Sequence, residues 1–280
     1  MVRSLKIYLR SPDVIAALFV ACVPLLYFLP AVRGRLVLSP DDGLILNLPL
    51  RAVAARILLD GHLPLWNPYI FSGMPLWATA QGGFLMPLNW FFLIFSPPVA
   101  MNLTVISTYA LAGVGAYYYA RTNKTPIGGA LLTALIWQWS GFLVAHIGHT
   151  NIIQTAALLP CLLLAVDKYG ATGRRAWAIG LAAFVALSIF AGHQQTFIYS
   201  LLLVVAYITF KAITDRARRR CLLQSLVMIA AGIGLAAAQI LPTIELMHNS
   251  ARAGVSGSYE FFTSLSLPPR LLSTFLAPYL

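Results

Sequence analysis

Two stretches of this chain, residues 127 to 166 and residues 176 to 210, contain no Lys, Arg, Asp or Glu at all. At a rise of about 1.5 Å per residue they would make roughly 60 Å and 50 Å of helix, against a hydrocarbon thickness of about 30 Å. Each therefore reads as two membrane crossings joined at a tip, near 146 in the first and 193 in the second. Composition agrees: 59% of the residues are hydrophobic and only 10% charged, with a mean hydropathy of +0.79. A soluble domain carries about a quarter charged residues, so that class is excluded.

Three further runs complete the pattern. Residues 14 to 32 are uncharged and continue through Pro24 and Pro30 to Arg33 and Arg35, which reads as a span rather than a cleaved signal peptide. Residues 99 to 120 and 222 to 244 supply two more. The expected fold is an all-α polytopic membrane bundle of about seven helices in a single domain, 1–280. Its spans are 14–32, 99–120, 127–145, 151–166, 176–192, 195–210 and 222–244. A long outer loop, 33–98, holds interfacial helices, including a piece at 84–96 broken by Pro87, and an outer segment covers 245–280. Cys22, Cys161 and Cys221 lie in or beside apolar runs and are read as packing residues.

The net charge of +11 invites a nucleic-acid reading, but its distribution argues otherwise. The segments before 14, at 121–126, at 167–175 and at 211–221 hold 13 of the 19 Lys and Arg residues. The excess is spread over short loops on one side, so no nucleic acid is expected and the N-terminus is placed in the cytoplasm. The chemistry-bearing residues then fall on the outer face.

Three groups on that face stand out. Asp41 and Asp42 are adjacent in Ser39-Pro40-Asp41-Asp42-Gly43, ahead of a helix-like segment, 44–59, in which Asn47 and Arg51 share a face. The pair suits a general base, a divalent-cation site of hard oxygen ligands, or an exposed turn capping the helix. His146 and His149, three apart, suit metal ligation weakly and hydrogen-bonded tips or substrate contacts otherwise. His193, Gln194 and Gln195, with Gln154 and Gln239, suit either a polar lining for sugar hydroxyls and pyrophosphate or bonds between helices. Trp66, Tyr69 and Trp77 suit a headgroup region.

The order Asp41-Asp42-Gly43, Leu63-Pro64-Leu65-Trp66-Asn67-Pro68-Tyr69, Phe71-Ser72-Gly73-Met74-Pro75, Gln81 and Pro87-Leu88-Asn89 resembles the N-terminal part of YfhO-type bacterial membrane proteins. His149, Gln154, Leu159-Pro160 and Gly192-His193-Gln194-Gln195 look similar as well. The resemblance implies a GT-C-like glycosyltransferase module of the bacterial cytoplasmic membrane. It would move a sugar from a polyprenyl-phosphate donor to a cell-envelope glycan or lipid acceptor, among membrane lipids. Asp41 or Asp42 would be catalytic, with a divalent cation (Mg or Mn) held by the same pair as an option. Substrate contacts would come from Arg51, Arg56, His62, Trp66, Asn67, Tyr69, Gln81, His149, Gln154, His193 and Gln194, with the two arginines holding the lipid phosphate. Members of that family are longer, so the chain is expected to be part of a longer protein. The competing expectations are a non-enzymatic transporter or lipid-handling bundle, and an inactive truncated remnant.

Overall fold

A computed structural model of the chain describes residues 11–250, 259–264 and 266–277. The basic residues Arg3, Lys6 and Arg10 of the expected inner face lie outside that set, as do residues 251–258, 265 and 278–280 of the expected outer C-terminal segment.

The described fold is helical apart from one two-residue ladder. Ser11 opens α1 (Pro12–Tyr27) by accepting the Val14 amide at 3.3 Å, which satisfies one of the free N–H groups of a first turn. A short α2 (Leu29–Val32) follows. The long loop contains α3 (Leu48–Leu59), entered through a π-helical turn at Gly43–Asn47. It also contains strands β1 (Trp66–Asn67) and β2 (Met74–Pro75) and a 3-10 helix at Pro87–Leu93, where the broken apolar piece was expected.

The bundle then runs through α4 (Pro97–Thr122), α5 (Ile127–Gln138), α6 (Gly141–Ala145), α7 (Thr150–Ala157), α8 (Leu159–Thr172), α9 (Arg175–Phe190), α10 (Gln194–Thr214), α11 (Arg219–Leu235) and α12 (Ala237–His248). A last short helix, α13, spans Tyr259–Thr263.

Every expected crossing coincides with a helix or a helix pair, but they are not equivalent. Four are long and apolar enough to cross a membrane: Pro97–Thr122, Ile127–Ala145, Thr150–Thr172 and Gln194–Thr214. A fifth joins them if α11 and α12, bent by 66° at Ala236, form one broken span. The other two, α1 and α9, have 16 residues each and reach only about 24 Å as straight helices.

Bulky side chains line the outside of the bundle. Ile198, Leu202, Phe210 and Ile213 on α10 are at least half exposed. Small residues let the interior close: a Cβ at Gly113 would sit 2.6 Å from Val20, and one at Gly115 would sit 2.7 Å from the Cys161 sulfur. Such small residues let the helix backbones approach closely.

Amides then fix which helices meet. Asn102 on α4 accepts the Leu38 amide at 2.8 Å and donates to the carbonyls of Ala31 at 3.1 Å and Leu36 at 2.9 Å. It ties the start of the loop to the bundle. Gln138 on α5 donates to Val20 at 3.1 Å and Tyr109 at 2.9 Å, pinning α1, α4 and α5 together. The near-isosteric Asn102→Leu should destabilise the protein by about 2–4 kcal/mol, because one N–H and two carbonyls lose their partners. Thermal unfolding in detergent would show it as a lower Tm with unchanged helical content.

Candidate functional site

The turn that opens the loop helix folds against the tip after α6, and two glycines make the approach close. A Cβ on Gly43 would lie 2.7 Å from Ser39 Oγ and 3.0 Å from the Gly148 carbonyl, and one on Gly148 would lie 2.5 Å from the Pro40 carbonyl. Asn47 bridges the two segments, donating from Nδ2 to Gly148 at 3.3 Å and to Asp42 at 3.4 Å. Arg51, one helical turn on, donates from Nη1 to the carbonyl and side-chain oxygens of Asn47 at 3.0 and 2.9 Å.

This packing places Asp42 against His149: Oδ2 and Nε2 are 3.3 Å apart, with the carboxylate half exposed. Asp41 has a φ of 49°, a left-handed conformation that aspartate tolerates, and its exposed side chain has no partner among the described residues. Asp42 stands at the cap position of the helical turn but makes no capping bond. Its partner across the turn is a histidine instead. The Nδ1 atom of His149 is buried without a hydrogen-bond partner. A bare acceptor is tolerated better there than an N–H, so the proton belongs on Nε2, pointing at Asp42. The other oxygen of Asp42 has no hydrogen-bond partner among the described residues, and the imidazole holds the carboxylate on one side.

The His149 ring lies 5.7 Å from that of His146, tilted by 59°, and His146 Nδ1 lies 2.8 Å from the Phe142 carbonyl. His146 in turn lines a cavity of about 470 Å³ with Trp137, Phe142, Ile152, His193, Gln195 and Tyr199, walled by α5, α6, α7 and α10. Burial holds His193 below the ordinary imidazole value, and the neighbouring His149 and His146 add to the effect. A larger concavity of about 1190 Å³ lies between the loop and α12, with Leu50, Phe71, Gln81, Gln194 and Met247 in its lining. Gln194 and Gln195 thus open onto different cavities. The α12 wall is anchored to the loop: Trp77 Nε1 donates to Ala238 at 2.9 Å, and Gln239 Nε2 to the Trp77 carbonyl at 2.9 Å.

Several expected site residues serve the fold instead. Gln154 is fully buried and exchanges hydrogen bonds with Asn89, donating at 2.9 Å and accepting at 3.4 Å, so no polar edge is left for a substrate. Asn67 is buried and accepts the Tyr69 amide at 3.0 Å, closing the turn of the β1–β2 hairpin. Trp66 packs over Gly73, where a Cβ would fall 2.5 Å from the ring, so the Trp-Asn-Pro-Tyr and Gly-Met-Pro elements together build that hairpin. The Trp77 indole is spent on Ala238 rather than on headgroups.

Arg51 and Arg56 do not form a clamp, since the first is 2% exposed and the second lies on the open face of α3. Burial pushes the Arg51 guanidinium down to about 9, which leaves it a cation at neutral pH. The cavity it lines, about 20 Å³, has room for about one water and not for a lipid phosphate. His62 follows α3 at the end away from Asp42, about 18 Å along the axis, and Tyr69 is exposed on the hairpin. Among the described residues no three His, Cys, Asp or Glu side chains gather as a metal-ligand set. Asp42 faces an imidazole rather than the further oxygens that Mg or Mn prefers, so the donors present do not fit the expected divalent cation.

The sequence did not single out Ser39, whose Oγ is buried and unpartnered beside Gly43, or Gly148, whose missing side chain makes the contact feasible. The only cue was a glycine in each of Asp41-Asp42-Gly43 and Ile147-Gly148-His149. No family model, curated protein or solved structure matches the chain.

The depressed His193 value has a definite sign. Below the ordinary imidazole value of 6.5 the unfolded chain takes up a proton that the folded chain resists, so stability should fall as pH drops through that region. His193→Gln should therefore lose less Tm than the wild type between about pH 7.5 and about pH 5. Equal losses would remove His193 from the acid response.

Proposed function

We propose that this chain is a YfhO-type, GT-C-like glycosyltransferase module in a bacterial cytoplasmic membrane. It crosses seven times, with its N-terminus inside and the Asp42 end of the bundle outside. The donor is a sugar on a polyprenyl phosphate and the acceptor is a hydroxyl of a cell-envelope glycan or lipid.

One observation carries this reading: the contact between Asp42 and His149, two outer-face residues 107 positions apart in sequence, with the His149 ring 5.7 Å from that of His146, which lines a cavity of about 470 Å³. In the proposed reaction the free oxygen of Asp42 accepts the proton of the acceptor hydroxyl as the hydroxyl oxygen bonds to the anomeric carbon. The bond from that carbon to the phosphate oxygen breaks, and polyprenyl phosphate leaves with the bonding electron pair. His149 keeps the carboxylate oriented through Nε2. His146, His193 and Gln195 offer hydrogen bonds to sugar hydroxyls in the first cavity, and Gln81 and Gln194 do the same in the second. Asp41, without a partner, has the lesser role.

In proteoliposomes supplied with radiolabelled donor, Asp42→Asn should reduce transfer by about 10²- to 10⁴-fold, the usual contribution of a general base. Asp41→Asn should retain most activity and His149→Gln should weaken transfer without abolishing it, all three with unchanged helical content. Full activity in Asp42→Asn would sink the assignment. Passage of the labelled lipid across the bilayer without cleavage would favour the transporter reading.

Orientation has its own check. With Cys22, Cys161 and Cys221 replaced, a cysteine at exposed His62 should react with an impermeant thiol reagent added outside intact cells, and one at exposed Thr172 should not. The reverse pattern would invert the proposed topology.

A further inference from the structure

The end of the bundle opposite the long loop carries a second polar site. The last turns of α4, α8 and α10 and the bend after α10 enclose a cavity of about 450 Å³, lined chiefly by Thr122, Asn123, Lys124, Asp167, Lys211 and Arg218. We propose that it binds the phosphodiester headgroup of an anionic phospholipid, with Lys124 as the cation that receives it. This rests on the membrane reading above and not on sugar transfer.

The charges decide the ligand class. Asp167, 6% exposed, would repel an anion if it were free, but it is engaged on all sides. It accepts from the Tyr207 hydroxyl at 2.8 and 2.9 Å and from Asn123 Nδ2 at 2.9 Å, and Lys211 Nζ is 3.3 Å away. Lys211 also lies 5.1 Å over the Tyr207 ring, which fixes its position. Arg218 Nε is 3.1 Å from Asp215. Asp167 and Asp215 thus each have their own cation, and exposed Lys124 has no ion-pair partner among the described residues.

The site is left with one uncompensated positive charge, the complement of a phosphodiester monoanion. Lys124 has a φ of 64°, a backbone conformation that glycine would adopt more freely, so the turn after α4 sets a cation at the cavity in spite of its local preference.

A lipid is favoured over a free phosphate by what surrounds the cavity. Phe210 and Ile213, 61% and 72% exposed, stand one and two positions from Lys211 on the outer side of α10, so apolar surface that acyl chains would cover lies at the same level of the bundle as the polar site. Basic pockets between helices at the cytoplasmic boundary recognise anionic headgroups in this way. A zwitterionic headgroup would bring its quaternary cation against Lys124, Lys211 and Arg218.

The test is lipid binding to the whole chain in neutral detergent, read by native mass spectrometry and by Tm. Phosphatidylglycerol should bind saturably and raise Tm more than phosphatidylcholine does. One surface lysine near a membrane is worth a factor of about five, so Lys124→Ala should weaken phosphatidylglycerol binding about five-fold and Lys124→Glu roughly 25-fold. Both changes are at an exposed position and should leave unliganded Tm nearly unchanged.

Equal binding of the two lipids would overturn the proposal, as would unchanged phosphatidylglycerol binding in both variants. Displacement of the lipid by millimolar inorganic phosphate would reassign the site to a free anion and overturn the lipid assignment. Loss of sugar transfer in Asp42→Asn, or its persistence, leaves every one of these outcomes untouched.

Discussion

Buried side-chain amides hold this structure in register. Apolar helices packed side by side have little preference for one neighbour over another beyond shape, so something directional has to choose. Asn102 reaches three backbone groups at the start of the loop, Gln138 joins α1 to α4, Gln154 and Asn89 clasp the bundle to the 3-10 helix, and Gln239 holds α12 to Trp77. Each spans elements far apart in sequence and each is almost wholly buried. An unpaired amide in such surroundings is costly, so these bonds penalise any alternative packing more than they reward the observed one.

The same device makes the loop part of the bundle. Its first turn is held by Asn47 on Gly148, and its later part by Trp77 and Gln239 and by the hydroxyl of Thr243, which donates to the Ala78 carbonyl at 2.9 Å. Between the anchors the loop has an apolar core of its own, with Leu50, Ala54, Leu76 and Phe84 buried together. The concavity lined by Gln81 is therefore walled by parts of the loop and of α12 that hydrogen bonds hold together.

Helix identity was legible because it depends on the absence of charge over long stretches, a property of the chain itself. The tips at 146 and 193 were legible because polar residues cluster there in otherwise apolar runs. Helix length was not: α1 stops at Tyr27 behind Pro24, and α11 turns by 66° into α12 at Ala236, just past Gly232 and Gly234, inside a run that carries no charge. In the candidate site the sequence drew attention to Asp42 and His149 separately, by scarcity of charge and by position, but their contact depends on two glycines more than a hundred residues apart. Gln154 and Asn67 show the opposite failure. A polar side chain in a helical membrane segment reads alike whether it awaits a ligand or a backbone carbonyl, and only the partner's position separates the two.

Asp42 and Asp167 show how the fold handles its few acids. Both sit near an end of the bundle, and each is approached by a cation or a group able to become one, yet the surroundings differ. Asp167 is enclosed by Tyr207, Asn123 and Lys211, so all its bonds are made and its charge is spent on structure. Asp42 is half exposed with one polar side-chain contact at 3.3 Å, and beyond His149 stands His146, which lines a cavity. A carboxylate whose bonds are complete can only hold its neighbours, whereas one held on a single side can still accept a proton. That difference in satisfaction, rather than the number of acidic residues nearby, is why we propose Asp42 as the group that takes part in chemistry.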